Sequence, residues 1–377
     1  MSNFDSTTGN AGQVRFFNPG PVWVRPQVLQ ALTGPMLSHR SQAFMDLYGR
    51  ILDKLPKVFR TAPGRAHTLA SSATGVWEAA LVSCVEGPVL SLGNGAFSEK
   101  WGEMSQRLGL ETDTLKAEWG KPISPDDVKA KLAGKKYAAV TVVHSETSTG
   151  VLNDLPAIAK VVRENSDALV FADCVTSVAG TKVETDAWGL DVVLTGSQKA
   201  FALPPGLALF AMSERTLAAA KKKKFRGLYL DLVDIDAFAQ KKQTPTTPCL
   251  SLLYALDVQL DHILAEGMEN RWARHEEMRK TVADWCGANG FQVFAQKGAE
   301  SPTVTSMIPA AGVNAEELNK GLKAAKWTTG SGYGKLKATN VRIGHMGDVD
   351  VLSVKNYLKA HEEVIASLKA KAAAVPA

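Results

Sequence analysis

Ala168-Leu169-Val170-Phe171-Ala172-Asp173 is a strand-length apolar run that ends on a carboxylate, and Asp191-Val192-Val193-Leu194-Thr195-Gly196-Ser197-Gln198-Lys199 leads another such run to a lysine. Successive residues in both runs are apolar, so neither face of the strand is left for water, as in a buried parallel strand. Outward from this pair the same pattern recurs. His67-Thr68-Leu69-Ala70-Ser71, Val89-Leu90-Ser91-Leu92, Ala138-Ala139-Val140-Thr141-Val142-Val143 and Leu207-Ala208-Leu209-Phe210 are further runs of strand length. Helix-length amphipathic stretches separate them between Ala66 and Ser213. Strand, helix, strand repetition implies an α/β layered domain with a mostly parallel sheet between helices.

After about Leu250 the pattern changes. A long helical stretch, roughly Ser251 to Ala288, has few breakers. Strand-like Thr303-Val304-Thr305-Ser306-Met307-Ile308 follows, and a last helix is expected from about Val349 to Lys371. The expected division is an N-terminal arm over 1–20, a large domain over 21–262 and a smaller α+β C-terminal domain over 263–377. No internal repeat is visible, and the alanine-rich tail from Lys369 to Ala377 is expected to fray.

The chain has 377 residues, too many for one simple core and suited to one large and one smaller domain. Hydrophobic residues make up 45% and charged ones 21%, which is an ordinary globular balance. The net charge of +5 falls short of a nucleic-acid-binding surface. Cys84, Cys174, Cys249 and Cys286 lie far apart with no CxxC pair, so neither a disulfide frame nor a zinc site is expected. A reducing cytoplasm is the simplest reading. Met1 to Arg15 has no apolar core of a signal peptide, and no run of about 18 apolar residues suggests a membrane span.

In such sheets ligands bind beyond the carboxyl ends of the strands. Ser71-Ser72-Ala73-Thr74-Gly75 follows the first run and opens a helix, which suits an anion or an ordinary N-cap. Gly93-Asn94-Gly95-Ala96-Phe97 brings two glycines and an aromatic that could cover a flat ring or join the core. His144-Ser145-Glu146-Thr147-Ser148-Thr149-Gly150 carries many polar groups for a connector, although capping would explain most of them. Asp173, at the end of a buried strand, needs a partner, because an unpaired buried charge is expensive. A protonated ring nitrogen would serve, and so would a helix N-terminus. Lys199 after a buried strand would be desolvated and low in pKa, as amine nucleophiles require. Jointly these loops offer a phosphate anchor, a ring stack, a pyridinium partner and an imine-forming lysine. That is the arrangement that pyridoxal 5'-phosphate requires.

The sequence resembles the class V aminotransferases of the fold-type I pyridoxal-phosphate enzymes, most closely the alanine–glyoxylate, serine–glyoxylate and serine–pyruvate group. The likeness runs from Asn18-Pro19-Gly20-Pro21 to the last helix. It rests on His144 to Gly150, Asp173-Cys174-Val175-Thr176-Ser177, Gly196-Ser197-Gln198-Lys199-Ala200 and Arg342-Ile343-Gly344-His345-Met346-Gly347-Asp348. The resemblance implies a ping-pong transaminase moving an amino group from serine or alanine to glyoxylate or pyruvate. It makes Lys199 the Schiff-base lysine and proton shuttle, and Asp173 the partner of the pyridine nitrogen. Phe97 stands where the family stacks an aromatic on the cofactor ring, and Val175 where a side chain packs beneath it. Ser72, Ala73 and Thr74 correspond to the phosphate loop, with Gln198 beside them. Ala73 stands where a glycine is common. Ser148 corresponds to a residue near the cofactor's 3-hydroxyl and the substrate, and Arg342 to the clamp on the substrate carboxylate. Thr247 resembles a phosphate ligand donated by the neighbouring subunit, so a homodimer is implied. The family often carries a tyrosine a few residues earlier, where this chain reads Gln243-Thr244-Pro245. His39 and Arg40 lie where relatives carry a similar pair, and a substrate contact and a structural role stay open for them.

Three rivals remain at this stage. A lyase or cysteine desulfurase of the same fold would need a reactive cysteine on a late loop, and the last one here, Cys286, falls in a helical stretch. An aspartate or aminoethylphosphonate transaminase would need a second cation, which Arg40 could supply. A nucleic-acid binder would use Lys221 to Lys224 and Arg226, but such runs are usually solvated faces.

Overall fold

The apolar runs join into one seven-stranded sheet in the computed structural model, which describes residues 14–373. Expectations for residues 1–13, which hold most of the arm and the polar N-terminus, and for residues 374–377 of the tail lie outside the described residues. Helices α1 (Pro26–Ala31) and α2 (Gln42–Phe59) come first. Then follow β1 (Ala66–Leu69), α3 (Ala73–Cys84), β2 (Val89–Gly93), α4 (Ala96–Arg107), β3 (Thr112–Lys116), α5 (Pro125–Gly134) and β4 (Ala139–Val143). A short hairpin, β5 (Ser145–Glu146) and β6 (Val151–Leu152), leads through α6 (Leu155–Asn165) to β7 (Leu169–Asp173), β8 (Val192–Gly196) and β9 (Ala208–Met212).

The strand order is β1-β9-β8-β7-β4-β2-β3. Neighbours from β3 across to β8 are parallel, while β9 runs antiparallel to both β8 and β1. Strands β2, β4, β7, β8 and β9 are buried end to end, which is why they carry no polar face. Edge strand β3 reads Thr112-Asp113-Thr114-Leu115-Lys116 and is only partly covered, so it gave no apolar run to find. One apolar layer packs α2 and α9 (Leu250–Glu266) on one face, including Phe44, Leu47, Ile51, Leu253 and Leu256. On the other face α3 contributes Val76, Trp77 and Leu81.

Helices α7 (Glu214–Lys222) and α8 (Leu232–Ala239) precede α9. The basic run at the end of α7 is partly internal. Lys223 donates to the carbonyls of Val85 at 2.7 Å and Leu81 at 3.4 Å, closing the end of α3, and Arg226 pairs with Asp231 at 2.9 Å. Those cations hold the fold together, which removes them from any solvated basic face.

The single long helix expected from Ser251 to Ala288 is two: α9 ends at Glu266 and α10 (Met268–Ala288) starts anew. Gly267 between them has φ of +81°, a conformation that side chains disfavour. No proline or turn cluster marks the break, so the periodicity reads through it. Then come β10 (Gln292–Val293), β11 (Val304–Ile308), α11 (Ala315–Ala324), β12 (Gly330–Ser331), β13 (Val341–Gly344) and α12 (Val351–Ala373). The four strands form an antiparallel sheet in the order β10-β11-β13-β12, packed on α10, α11 and α12 through Met278, Leu318, Ile343 and Tyr357. Among the described residues no helix is long and apolar enough to cross a membrane.

Candidate active site

Chain order reverses between β2 and β4, so the loops at their carboxyl ends diverge and leave a crevice. The loops after β2, β4, β7 and β8 open into it.

Asp173 is the last residue of β7 and is buried. Its carboxylate accepts from the Val175 backbone N–H and from the Trp77 indole, both at 2.8 Å. Burial pushes the carboxyl up to about 7, against those two donors and the charge of Lys199. The N–H of Cys174 bonds to Leu194 on β8, so the strand pairing itself aims the side chain.

Lys199 follows β8 in a tight turn, and its Nζ donates to the carbonyl of Pro19 at 2.6 Å. Burial first, and then the charge of Arg342, draws the ammonium down to about 8. The amine rests against Gly20, where a Cβ would overlap it. Gly20 also has φ of +132°, so the glycine in Asn18-Pro19-Gly20-Pro21 makes room for the lysine.

Arg342 reaches the crevice from β13. Its Nε donates to Ser331 at 2.8 Å and its Nη1 to Thr147 at 3.2 Å, both backbone carbonyls. Burial draws the guanidinium down to about 10, so it stays charged at neutral pH. The Nη2 edge, with its two N–H groups, remains for a ligand. The guanidinium also sits 5.3 Å from the ring centre of Tyr333, and that ring stacks on Phe97 at 5.0 Å with 20° between planes. Sequence reasoning missed Tyr333, although a lone aromatic between Gly332 and Gly334 was a signal.

The loop after β4 proves largely structural. His144 lies edge-on to Trp188, and burial holds its ring near a pKa of about 3, hence neutral. Ser145 bonds Ser301 at 2.8 Å. Glu146, quoted in that loop but given no role of its own, is fully buried and serves as an acceptor for the start of α4. It takes N–H bonds from Ser98 at 2.9 Å and Phe97 at 3.4 Å, and the Ser148 hydroxyl at 2.6 Å. Ser148 in turn accepts from the Ala96 N–H at 3.0 Å. Glu146 thus fixes both Phe97 and Ser148.

Ser72 is the N-cap of α3, yet it makes no side-chain bond to the first turn. Ala73 and Thr74 follow as the first helical residues. The Oε1 of Gln198 is buried and has no hydrogen-bond partner among the described residues. Val175 lies half-buried between Asp173 and the β8 side, with its carbonyl bonded by the Thr195 hydroxyl at 3.0 Å.

Three expected residues stand apart from this group. Thr247 is exposed in the loop between α8 and α9. Arg40 bonds that loop in its own chain, with Nη1 on the Thr244 carbonyl at 2.8 Å and on Gln243 at 3.2 Å. It also lies 5.3 Å from the Phe238 ring. His39 is half-buried beside it.

A family model described as aminotransferase class-V matches residues 89–339. The chain is 36% identical to the soluble hydrogenase small subunit of a Synechococcus species, over 93% of this chain and 92% of that protein. It is 34% identical to the serine–glyoxylate aminotransferase of Methylorubrum extorquens, over 93% of this chain and 90% of the relative. The crystal structure of pyridoxamine–pyruvate aminotransferase from Mesorhizobium loti superposes with a TM-score of 0.89 at 29% identity, covering 94% of this chain and 92% of that one.

Proposed function

Because the chain belongs to the class V aminotransferases and is therefore a pyridoxal-phosphate-dependent transaminase, we propose that it moves the amino group of serine or alanine to glyoxylate or pyruvate. The observation that carries this reading is the meeting of Lys199, Asp173 and Arg342 in one crevice, each tuned by burial.

The residues present fit the cofactor. Asp173 is a buried carboxylate that would gain a cationic partner from the ring nitrogen. The uncapped start of α3 at Ser72, Ala73 and Thr74 suits a phosphate. Gln198 offers a buried amide whose oxygen has no partner among the described residues. Bound there, the cofactor supplies a carbonyl for the amino group and a protonated ring that accepts the electron pair of the Cα–H bond. Phe97 and Val175 would pack against the ring.

Arg342 holds the substrate carboxylate with its free Nη2 edge, in the bidentate manner that guanidinium favours. The Nζ of Lys199 takes the Cα proton and returns it, which its lowered pKa permits near neutrality. Asp173 keeps the ring proton in place. Ser148, fixed by Glu146, would offer a hydroxyl to the cofactor or substrate. Thr247 reaches the phosphate of a second copy, so the working unit is a homodimer.

The serine or alanine reading is supported over the aspartate-type one by Arg40, the second cation the latter would use, which bonds the 243–245 segment of its own chain. The desulfurase reading loses its nucleophile, because Cys286 is buried in α10 and burial pushes its thiol up to about 12. Glyoxylate and pyruvate differ by one methyl, which a pocket separates by only about 1–3 kcal/mol, so both stay as acceptors.

The test is the visible spectrum of the purified holoenzyme, with serine, alanine, aspartate and cysteine added singly. Bleaching by serine or alanine, reversed by glyoxylate or pyruvate, is the expected result. Bleaching by cysteine or aspartate alone would overturn it.

A further inference from the structure

We propose that Arg271 is a positioning residue for the crevice, tying the backbone beside Lys199 and the turn after Asp173 to the segment that follows Arg342. Arg271 lies on α10 and is fully buried. Its guanidinium donates in three directions. Nε bonds the carbonyl of Ala179 and Nη2 the carbonyl of Ala200, both at 2.8 Å. Nη1 bonds Asp348 at 3.0 Å and Glu266 at 2.7 Å.

Each acceptor belongs to a different part of the site. Ala200 is the residue after Lys199. Ala179, at a φ of +66°, lies in the turn segment 175–180 that follows Asp173. Asp348 stands six residues beyond Arg342 in the sequence. It is buried and also bonded by Arg25 at 2.6 Å and Gln259 at 3.0 Å. Burial alone would raise its carboxyl, but Arg271 and Arg25 overcome that and hold it at about 2. Arg25 belongs to the same N-terminal segment as Pro19, the acceptor of the lysine amine.

The next turn of α10 strengthens the tie. His275 accepts from the Gly347 N–H at 3.0 Å through Nε2, and its Nδ1 donates to the Arg271 carbonyl at 2.7 Å. Gly347 is packed so closely that a Cβ would stand 3.0 Å from the Cβ of Ala202 and 3.6 Å from the Lys199 carbonyl. The lysine turn is thus seated on the Arg342 segment.

An ion pair with Asp348 alone would not need this arrangement, since buried pairs are often replaced by apolar residues at no loss of stability. Only a planar fork can reach two backbone carbonyls and a carboxylate at once. Lysine keeps the charge and loses the fork, which makes Arg271→Lys the informative substitution.

The inference rests on the transaminase reading for its rate effect, so the test includes a measurement free of substrate. In the apoenzyme, the rate at which an amine-acylating reagent modifies Lys199, followed by peptide mass across pH, gives the titration of its amine. Arg271→Lys is expected to move that titration upward by about one pH unit, as the loosened turn admits water. In the holoenzyme the single-turnover rate with serine should fall by about 10–100-fold, with KM changed far less. Arg271→Met/Asp348→Asn, which removes both charges together, should behave alike even where its melting temperature matches wild type. It also serves if the lysine variant fails to fold. A folded variant whose Lys199 titration and single-turnover rate equal wild type would overturn the proposal. A wild type inert to every amino acid would sink the substrate reading, and the Lys199 titration would still decide the role of Arg271.

Discussion

Lys199 is a charge that the apoprotein holds at a cost. Its folded pKa of about 8 lies below the ordinary 10.5. A depressed folded pKa means that the unfolded chain binds more protons between those values. The contribution of the amine to stability is therefore fully present above pH 10.5 and lost as pH falls through 8. Lys199→Met removes the charge, so the apoprotein variant is expected to be more stable than wild type at pH 7 by on the order of 1–3 kcal/mol. That gap should close as pH rises to 10.5, and thermal melting across pH measures it. A gap that stayed constant with pH would mean that the amine is hydrated. Arg342 is desolvated in the same sense, and its charge is the one proposed to meet the substrate carboxylate. Arg342→Gln should lower kcat/KM for serine by about 100-fold or more, the scale of a lost buried carboxylate pair, as initial rates would show. Asp173 and Lys199 stood out in the sequence because one ends an apolar run and the other follows shortly after one, whereas Arg342 was marked only by the family resemblance of Arg342-Ile343-Gly344-His345. Trp77, Glu146 and Tyr333 did not stand out, because each matters only through a neighbour distant in the chain.

Helix α4 shows how an element can depend on a residue outside it. Its N-cap, Gly95, has no side chain, and a Cβ there would overlap Glu146. The cap comes from Glu146 instead, 48 residues from Ser98 in sequence. Glu146→Gln keeps the shape but turns an NH2 toward N–H donors. The folding free energy is expected to fall by about 2 kcal/mol, read as a lower urea midpoint. Because Phe97 and Ser148 hang on the same carboxylate, the variant should also release cofactor faster on dilution. Normal cofactor retention in a destabilised variant would confine Glu146 to the helix. The strands of the large sheet were legible because burial on both faces leaves them few polar residues, whereas edge strand β3 is only partly covered, is mostly polar, and escaped notice. The break at Gly267 escaped for a different reason: one glycine among good helix formers ends a helix only when the chain beyond it packs elsewhere.

At the scale of the whole molecule, several large apolar side chains stand exposed. Met36 is 74% exposed and Leu29 44%, both ahead of α2, and Phe225 and Leu228 are 77% and 80% exposed ahead of α8. Exposed apolar side chains are candidates for burial against another chain. Thr247 is exposed on a loop that Arg40 holds in place, available to another copy. If the site is shared as proposed, Lys199→Ala and Thr247→Glu damage opposite halves of it. Each homodimer should be inactive or nearly so. Exchanging subunits between the two gives mixed dimers in which one site joins an intact Lys199 to an intact Thr247. Statistical mixing makes half of the dimers mixed, each with one good site of two, so roughly a quarter of the wild-type activity should return. If Thr247 served its own chain, every site in the mixed dimer would carry one lesion and no activity would return. Sedimentation of the mixture shows whether exchange has taken place. Restored activity therefore requires a site built from two chains, and silence after proven exchange requires a site built from one.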